Sequence, residues 1–275
     1  MTLAAVVQLS CTSDEDRNLS TAESLIRRAA GLGATLVSTP ENTNYLGPHG
    51  EKVRRAQPLD GPLVGRFTAL ARELGITLVV GSVNEASSEA TRCHNTSVLI
   101  GPDGGILASY RKIHLFDVDV DDDVRFQESA TCVPGDRVVV ADSPVGRVGL
   151  SVCYDLRFPM LYQRQVEMGA EILTIPAAFT ATTGKDHWEP LIRARAIETQ
   201  CYVLAAGQSG RHDDQGLRAS HGHSMIVDPW GHVVARASDG PGIALAEIDL
   251  ERVAKIRRAM PVQSHRRPLG LPETP

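Results

Sequence analysis

The chain has 275 residues, 42% hydrophobic and 22% charged, with a formal net charge of −5. That length suits one large α/β domain or two small ones with ample core, and the charge balance argues against a nucleic-acid binder or a polybasic membrane anchor. From the N-terminus, Leu3–Leu9 reads as a strand and Glu15–Leu32 as a helix stopped by Gly33. Thr35–Thr39 is a strand, Leu63–Leu74 a helix ending at Gly75, and Ile76–Gly81 a strand. Thr96–Ile100 and Ile106–Tyr110 flank a Pro-Asp-Gly-Gly turn and predict a β-hairpin. Arg137–Ala141 and Val148–Val152 predict a second antiparallel pair. Residues after Pro159 read as a helix, Glu171–Pro176 as a strand, Trp188–Gln200 as a helix and Tyr202–Gly207 as a strand. Ser224–Val227, Val233–Ala237 and Ile243–Ile248 are the last strands, and Leu250–Met260 is the last full helix.

Hairpins mixed with βα units favour a layered α/β architecture over a doubly wound sheet. No linker, composition break or local repeat stands out, so a single domain over 1–260 is expected. The Pro- and Arg-rich stretch 261–275 reads as an extended C-terminal arm. The five cysteines (Cys11, Cys93, Cys132, Cys153, Cys201) are odd in number and contain no C-x-x-C pair. That argues against a disulfide framework and against a structural zinc site. No apolar run approaches the ~20 residues that span a bilayer, and the first residues do not resemble a secretory signal. The expectation is a soluble, cytoplasmic protein.

Cys153 ends the apolar segment Val148–Val152, just before the helix that follows Pro159. A thiol at such a turn faces helix-terminal N–H groups, which predicts a thiolate suited to attack on a carbonyl or nitrile carbon. Taken singly, the thiol could equally be a small buried side chain. Glu41 follows the strand Thr35–Thr39, Lys112 follows Ile106–Tyr110, and Glu128 lies in the loop Arg125-Phe-Gln-Glu. Ligand sites in open α/β sheets collect at the carboxyl ends of strands, so Glu41, Lys112 and Cys153 converge if their strands are neighbours. Each, taken alone, is more simply an ordinary carboxylate or surface lysine.

The segments Thr39-Pro-Glu41-Asn, Tyr110-Arg-Lys112-Ile-His-Leu-Phe116 and Gly149-Leu-Ser-Val-Cys153-Tyr-Asp-Leu-Arg157-Phe-Pro159 resemble the nitrilase superfamily of carbon–nitrogen hydrolases. The likeness runs from about Leu3 to Pro268. It implies a four-layer α-β-β-α sandwich, a Glu41–Lys112–Cys153 catalytic triad, a second active-site glutamate at Glu128, and a homo-oligomer, dimer or larger. In that scheme Glu41 moves protons, Cys153 forms a thioester, and Lys112 with the Tyr154 N–H holds the oxyanion. No metal or organic cofactor is needed, and the partner is a small amide, with no nucleic acid or membrane.

The C-terminal half, from Thr183-Gly-Lys-Asp-His187-Trp188 to Met260-Pro-Val-Gln-Ser-His, resembles the amidase branch acting on deaminated glutathione and on ω-amides of α-keto acids. It sits nearer the former, with 2-oxoglutaramate or 2-oxosuccinamate as alternatives and nitrilase activity less favoured. An anionic substrate needs a cation, and Arg157, four residues past Cys153, is placed for bidentate carboxylate capture. An ion pair with Asp155 or Glu167 is the plainer use. The acidic loop Asp117–Val124 departs from the Pro-Gly-type turn of relatives, which leaves substrate access open. Asp117, Asp119, Asp121 and Glu128 also match positions of a calcium loop, but Asp122 stands where the turn glycine belongs. A cysteine–histidine dyad using His187, His221 or His223 is another rival. A non-catalytic interaction module is the last, disfavoured because all four catalytic positions are filled.

Overall fold

The computed structural model describes residues 2–119, 125–212 and 219–267. In chain order the strands of the first half are Thr2–Gln8 (β1), Leu36–Ser38 (β2), Thr77–Ala86 (β3), Cys93–Ile100 (β4) and Ile106–Arg111 (β5), followed by a ribbon of Asp117–Asp119 (β6) and Arg125–Gln127 (β7). Then come Val139–Ser143 (β8), Gly146–Leu150 (β9), Ile172–Thr174 (β10) and Tyr202–Ala205 (β11), and a ribbon of Ser209–Arg211 (β12) and Ala219–His221 (β13). Met225–Val227 (β14), Val233–Arg236 (β15) and Gly242–Ile248 (β16) complete the set. The helices are Glu15–Gly31 (α1), His49–Arg54 (α2), Pro62–Leu74 (α3), Pro159–Glu167 (α4), Ala181–Thr199 (α5), Leu250–Ala259 (α6) and Val262–His265 (α7).

Two six-stranded sheets form, in the orders β16-β1-β2-β3-β4-β5 and β15-β14-β11-β10-β9-β8. In each, three parallel strands (β1-β2-β3 and β9-β10-β11) are flanked by one antiparallel strand on one side and two on the other. This twofold repeat was not legible in the sequence, because it lies in topology and not in matching residues. Alternation along the strands explains the layering. Ala5, Val7, Val37 and Leu78 face α1 and α3, packing on Ala22, Ile26, Phe67 and Leu70. Ala4, Val6, Leu36 and Val79 point the other way, into a core shared with Val148, Leu150 and Leu173 and continuing to Leu161, Trp188 and Ile192 of α4 and α5. The result is the expected α-β-β-α sandwich in one domain.

Several bounds differ from expectation. The helix expected over Trp188–Gln200 begins at Ala181 and carries Pro190 inside. The helix expected after Pro159 does start there, and the segment before it, Cys153–Arg157, is a 3-10 turn. The stretch expected as an extended arm holds the helical turn Val262–His265, where Gln263 Nε2 donates to Glu198 O at 3.3 Å; residues 268–275 lie outside the described residues. Among the described residues no helix is long and apolar enough to cross a membrane.

The bulge in β3 positions the site. Register with β4 shifts between Val80 and Val83. A Cβ on Gly81 would stand 1.9 Å from Thr39 O and 2.5 Å from Pro176 Cβ, so only glycine lets these segments cross. Ser82 then docks the Pro40–Thr43 turn: its hydroxyl accepts from Asn42 N–H at 2.9 Å and its carbonyl from Thr43 N–H at 3.0 Å.

Candidate active site

Glu41 leaves β2 on that turn, Lys112 is the residue after β5, and Cys153 lies just past β9. The carboxyl ends of strands from both sheets therefore meet at one place. Lys112 Nζ donates to Glu41 Oε1 at 3.0 Å and to Glu128 Oε2 at 2.7 Å. Asn95, on β4, donates through Nδ2 to the same two carboxylates, at 2.8 Å to Glu41 and 3.1 Å to Glu128. Backbone N–H groups complete the cage: Ala178 donates to Glu41 Oε2 at 2.8 Å and Phe116 to Glu128 Oε2 at 2.8 Å. Gln208 Nε2 donates to the Glu41 carbonyl at 2.9 Å, fixing the turn from the second sheet. Glu41, Lys112, Glu128 and Cys153 all line one cavity of about 620 Å³, open mouth included.

Electrostatics assign the protonation states. Burial disfavours the Lys112 ammonium, but the Glu128 and Glu41 carboxylates outweigh it and hold its pKa well above the ordinary lysine value. Burial likewise opposes the Glu128 carboxylate, yet Lys112 and Lys52 bring its pKa down to about 2. The Cys153 thiol moves the other way: burial, then the negative charge of Glu41, push it well above its ordinary value against the pull of Lys112. The thiolate expected from helix-end N–H groups is therefore corrected. At rest Cys153 is a thiol, because its sulfur is desolvated beside a carboxylate and only a short 3-10 turn follows it.

Cys153 holds φ at +49°, a left-handed conformation that non-glycine residues adopt at a cost of roughly 1–3 kcal/mol. Asp155 clamps this elbow. Its buried carboxylate accepts from Tyr110 Oη at 2.7 Å, Val152 N–H at 2.8 Å and His114 N–H at 3.1 Å, and lies 2.7 Å from His114 Nδ1. Cys153 N–H donates to Pro176 O at 2.8 Å and Asp155 N–H to Val152 O at 3.1 Å. The Tyr154 N–H between them has no acceptor among the described residues.

Arg157 borders a second hollow of about 230 Å³ that shares Phe116, Cys153, Ala178 and Thr180 with the first. It pairs with neither Asp155, which is saturated, nor Glu167, which meets Arg164 and Arg266. Its guanidinium lies 5.0 Å from the Phe179 ring centroid and 3.2 Å from His187 Nδ1. His221 and His223 line a different hollow with Trp188 and Arg236, away from Cys153. Glu128 is engaged by Lys112, and Asp117 Oδ1 accepts from Ser129 N–H at 3.0 Å. Asp121 and Asp122 lie outside the described residues, and the described ones contain no metal-competent cluster. Asn95 and Lys52 were not singled out in the sequence, and Asp155 entered only as a partner for Arg157; Asn95 precedes an apolar run and Asp155 lies within one, whereas Lys52, in Gly-Glu-Lys-Val-Arg-Arg, carries no such signal.

This chain matches the carbon–nitrogen hydrolase family over residues 3–258 and belongs to it, within the nitrilase superfamily. It is 47% identical over 271 residues to deaminated glutathione amidase of Bos taurus, covering 97% of this chain and 82% of that relative. It is 42% identical over 265 residues to omega-amidase NIT2 of Homo sapiens, covering 96% and 94% respectively. Among solved structures, the C. elegans NitFhit protein superposes with a TM-score of 0.90 at 41% identity; the match covers 97% of this chain and 65% of that longer one.

Proposed function

We propose that this chain hydrolyses a small carboxylated amide, deaminated glutathione, to 2-oxoglutarate and Cys-Gly through a cysteine thioester. The observation that carries the reading is the gathering of the Cys153 thiol, the Glu41 carboxylate and the Lys112 ammonium around one cavity. Because the thiol is protonated at rest, it needs a base, and Glu41 is the carboxylate beside it. Glu41 takes the thiol proton as sulfur attacks the amide carbon. The oxyanion settles between Lys112 Nζ and the Tyr154 N–H, each donor of this kind contributing roughly 2.7–4 kcal/mol. Glu41 returns the proton to the nitrogen, the C–N bond breaks, and the amine departs from a thioester. Water enters, gives a proton to Glu41, and attacks the thioester carbon. The C–S bond breaks and the thiol is restored.

Glu128 and Asn95 keep Lys112 charged and aimed. Arg157, with no carboxylate partner among the described residues and flanked by the Phe179 and Tyr154 rings, receives the α-keto acid end of the acyl group. No metal or organic cofactor takes part. The reading includes a cytoplasmic homo-oligomer, for which exposed Met160, Ile197 and Trp230 offer apolar surface. The ω-amide 2-oxoglutaramate is the second reading, favoured by the likeness to the human relative. The test compares the two substrates at low concentration, following Cys-Gly and ammonia release. A kcat/KM preference of at least tenfold for deaminated glutathione is expected; the reverse preference assigns the ω-amidase role, and hydrolysis of neither defeats the proposal.

A further inference from the structure

Beyond the groups with assigned roles, a second lysine stands in the cavity. Lys52, on the short helix α2, is 9% exposed and lines the larger hollow alongside Asn42 and Tyr45. Its ammonium makes one hydrogen bond among the described residues, to Cys132 Sγ at 3.1 Å. Cys132 and Cys93 are free thiols whose backbones lie side by side in an isolated parallel β-pair, and both are fully buried. A hydrogen bond from Cys93, and then the charge of Lys52, bring the Cys132 thiol down to about 6 against the opposing effect of burial. Burial works against the Lys52 charge too, but Cys132 and Glu128 more than offset it, and its pKa stands above the ordinary value. Lys52 is thus a charged ammonium held from behind by sulfur. An ammonium has three donors, and two remain for a ligand in the cavity.

The two hollows meet at Cys153 but differ in their cations. Lys52 and Glu41 line the larger one only, and Arg157 the smaller one only. The proton that ends on the departing nitrogen comes from Glu41, so that nitrogen and what it carries must lie on the Glu41 side. The acyl group is left with the Arg157 side. A substrate with carboxylates at both ends then meets a cation at each.

We propose that Lys52 anchors the carboxylate of the departing amine, making the larger hollow a leaving-group subsite for a dipeptide with a free C-terminal carboxylate such as Cys-Gly. This inference rests on the amidase reading above and adds the residue that separates a peptide-releasing substrate from an ammonia-releasing one. An ω-amide frees only ammonia and presents nothing to Lys52.

The experiment measures kcat/KM of the wild type and Lys52→Gln on deaminated glutathione, on 2-oxoglutaramate, and on deaminated glutathione with its C-terminal carboxylate converted to a carboxamide. The ratio of deaminated glutathione to 2-oxoglutaramate is expected to fall at least tenfold in Lys52→Gln, mostly through KM, and to recover partly in Lys52→Arg. The wild type is expected to lose at least tenfold on the carboxamide, a measurement that stands even if Lys52→Gln fails to fold. An unchanged ratio, or a wild type indifferent to the carboxamide, overturns the leaving-group subsite while leaving the amidase reading in place. A wild type that hydrolyses none of the three overturns the amidase reading itself.

Discussion

Cys11 and Cys153 occupy the same station in the two halves of the fold. Each lies three residues past the first parallel strand of its sheet, β1 ending at Gln8 and β9 at Leu150. Their surroundings diverge. Cys11 is sealed in the core, its Sγ donating to Thr43 O at 3.3 Å, and burial pushes its thiol up to about 12. Cys153 holds a left-handed backbone, borders the cavity, and faces Glu41 and Lys112. Place in the topology therefore does not make a nucleophile. In the proposed mechanism a carboxylate removes the proton and an ammonium receives the oxyanion, and both arrive from the other sheet.

The sharpest way to break this comparison is to delete each sulfur in turn. Cys153→Ala is expected to lower kcat/KM by at least about 10³-fold with the fold retained, as removal of a covalent nucleophile does elsewhere. Substantial residual turnover with pure variant would end the nucleophile assignment. Next in size is Glu128→Gln, which removes one of the two carboxylates paired with the buried Lys112 and leaves Glu41 to hold it; the expected cost is about 1.5–3 kcal/mol, read by denaturant unfolding at neutral pH. Glu128 titrates at about 2 in the fold against an ordinary 4.5. Its contribution is therefore complete above pH 4.5 and fades as pH falls toward 2. Wild type should lose stability more steeply than Glu128→Gln across that window, and parallel curves would contradict the depressed carboxyl.

Labelling with iodoacetamide, resolved by residue, gives a finer contrast. With its thiol above the ordinary 9.0, Cys153 should react at a rate still climbing at pH 9, while Cys11 stays unmodified; a plateau near neutrality would restore the resting thiolate. The smallest effect belongs to Cys11→Ala, a core truncation expected to cost about 1–2 kcal/mol and to leave kcat/KM within about threefold.

The parts of this fold that were legible in the sequence follow from periodicity and punctuation. Glu15–Gly31 and Pro62–Leu74 show helical spacing with Gly75 at a left-handed C-terminus, and the hairpin around Gly104 carries its turn residues. Glu41, Lys112 and Cys153 each follow an apolar strand, but the resemblance of the segments around them to the nitrilase superfamily is what marked them as a set. Asn95 was not, since the strand expected from Thr96 actually begins at Cys93, and an asparagine inside a buried strand looks like its edge. Asp155 suggested a partner for Arg157, whereas its ligands come from Tyr110 and His114, more than 40 residues earlier in the chain. Lys52 belongs to a six-residue helix too short to show periodicity. Contacts of this kind depend on how distant segments meet, which no local pattern records.

The hairpin β4–β5 carries a consequence for how this enzyme can change over evolution. Asn95 and Lys112 sit on its two arms, tied by Lys112 N–H to Asn95 O at 2.9 Å, and the arms pair Thr96 with Arg111. Successive strand residues point to opposite faces, so slipping one arm by a single position turns its side chains away from their targets. Adding or removing one residue in the connection at 101–105, where it shifts the register of an arm, would thus turn away the polar group that arm carries and break its pairing with the other. That connection can vary in composition far more readily than in length.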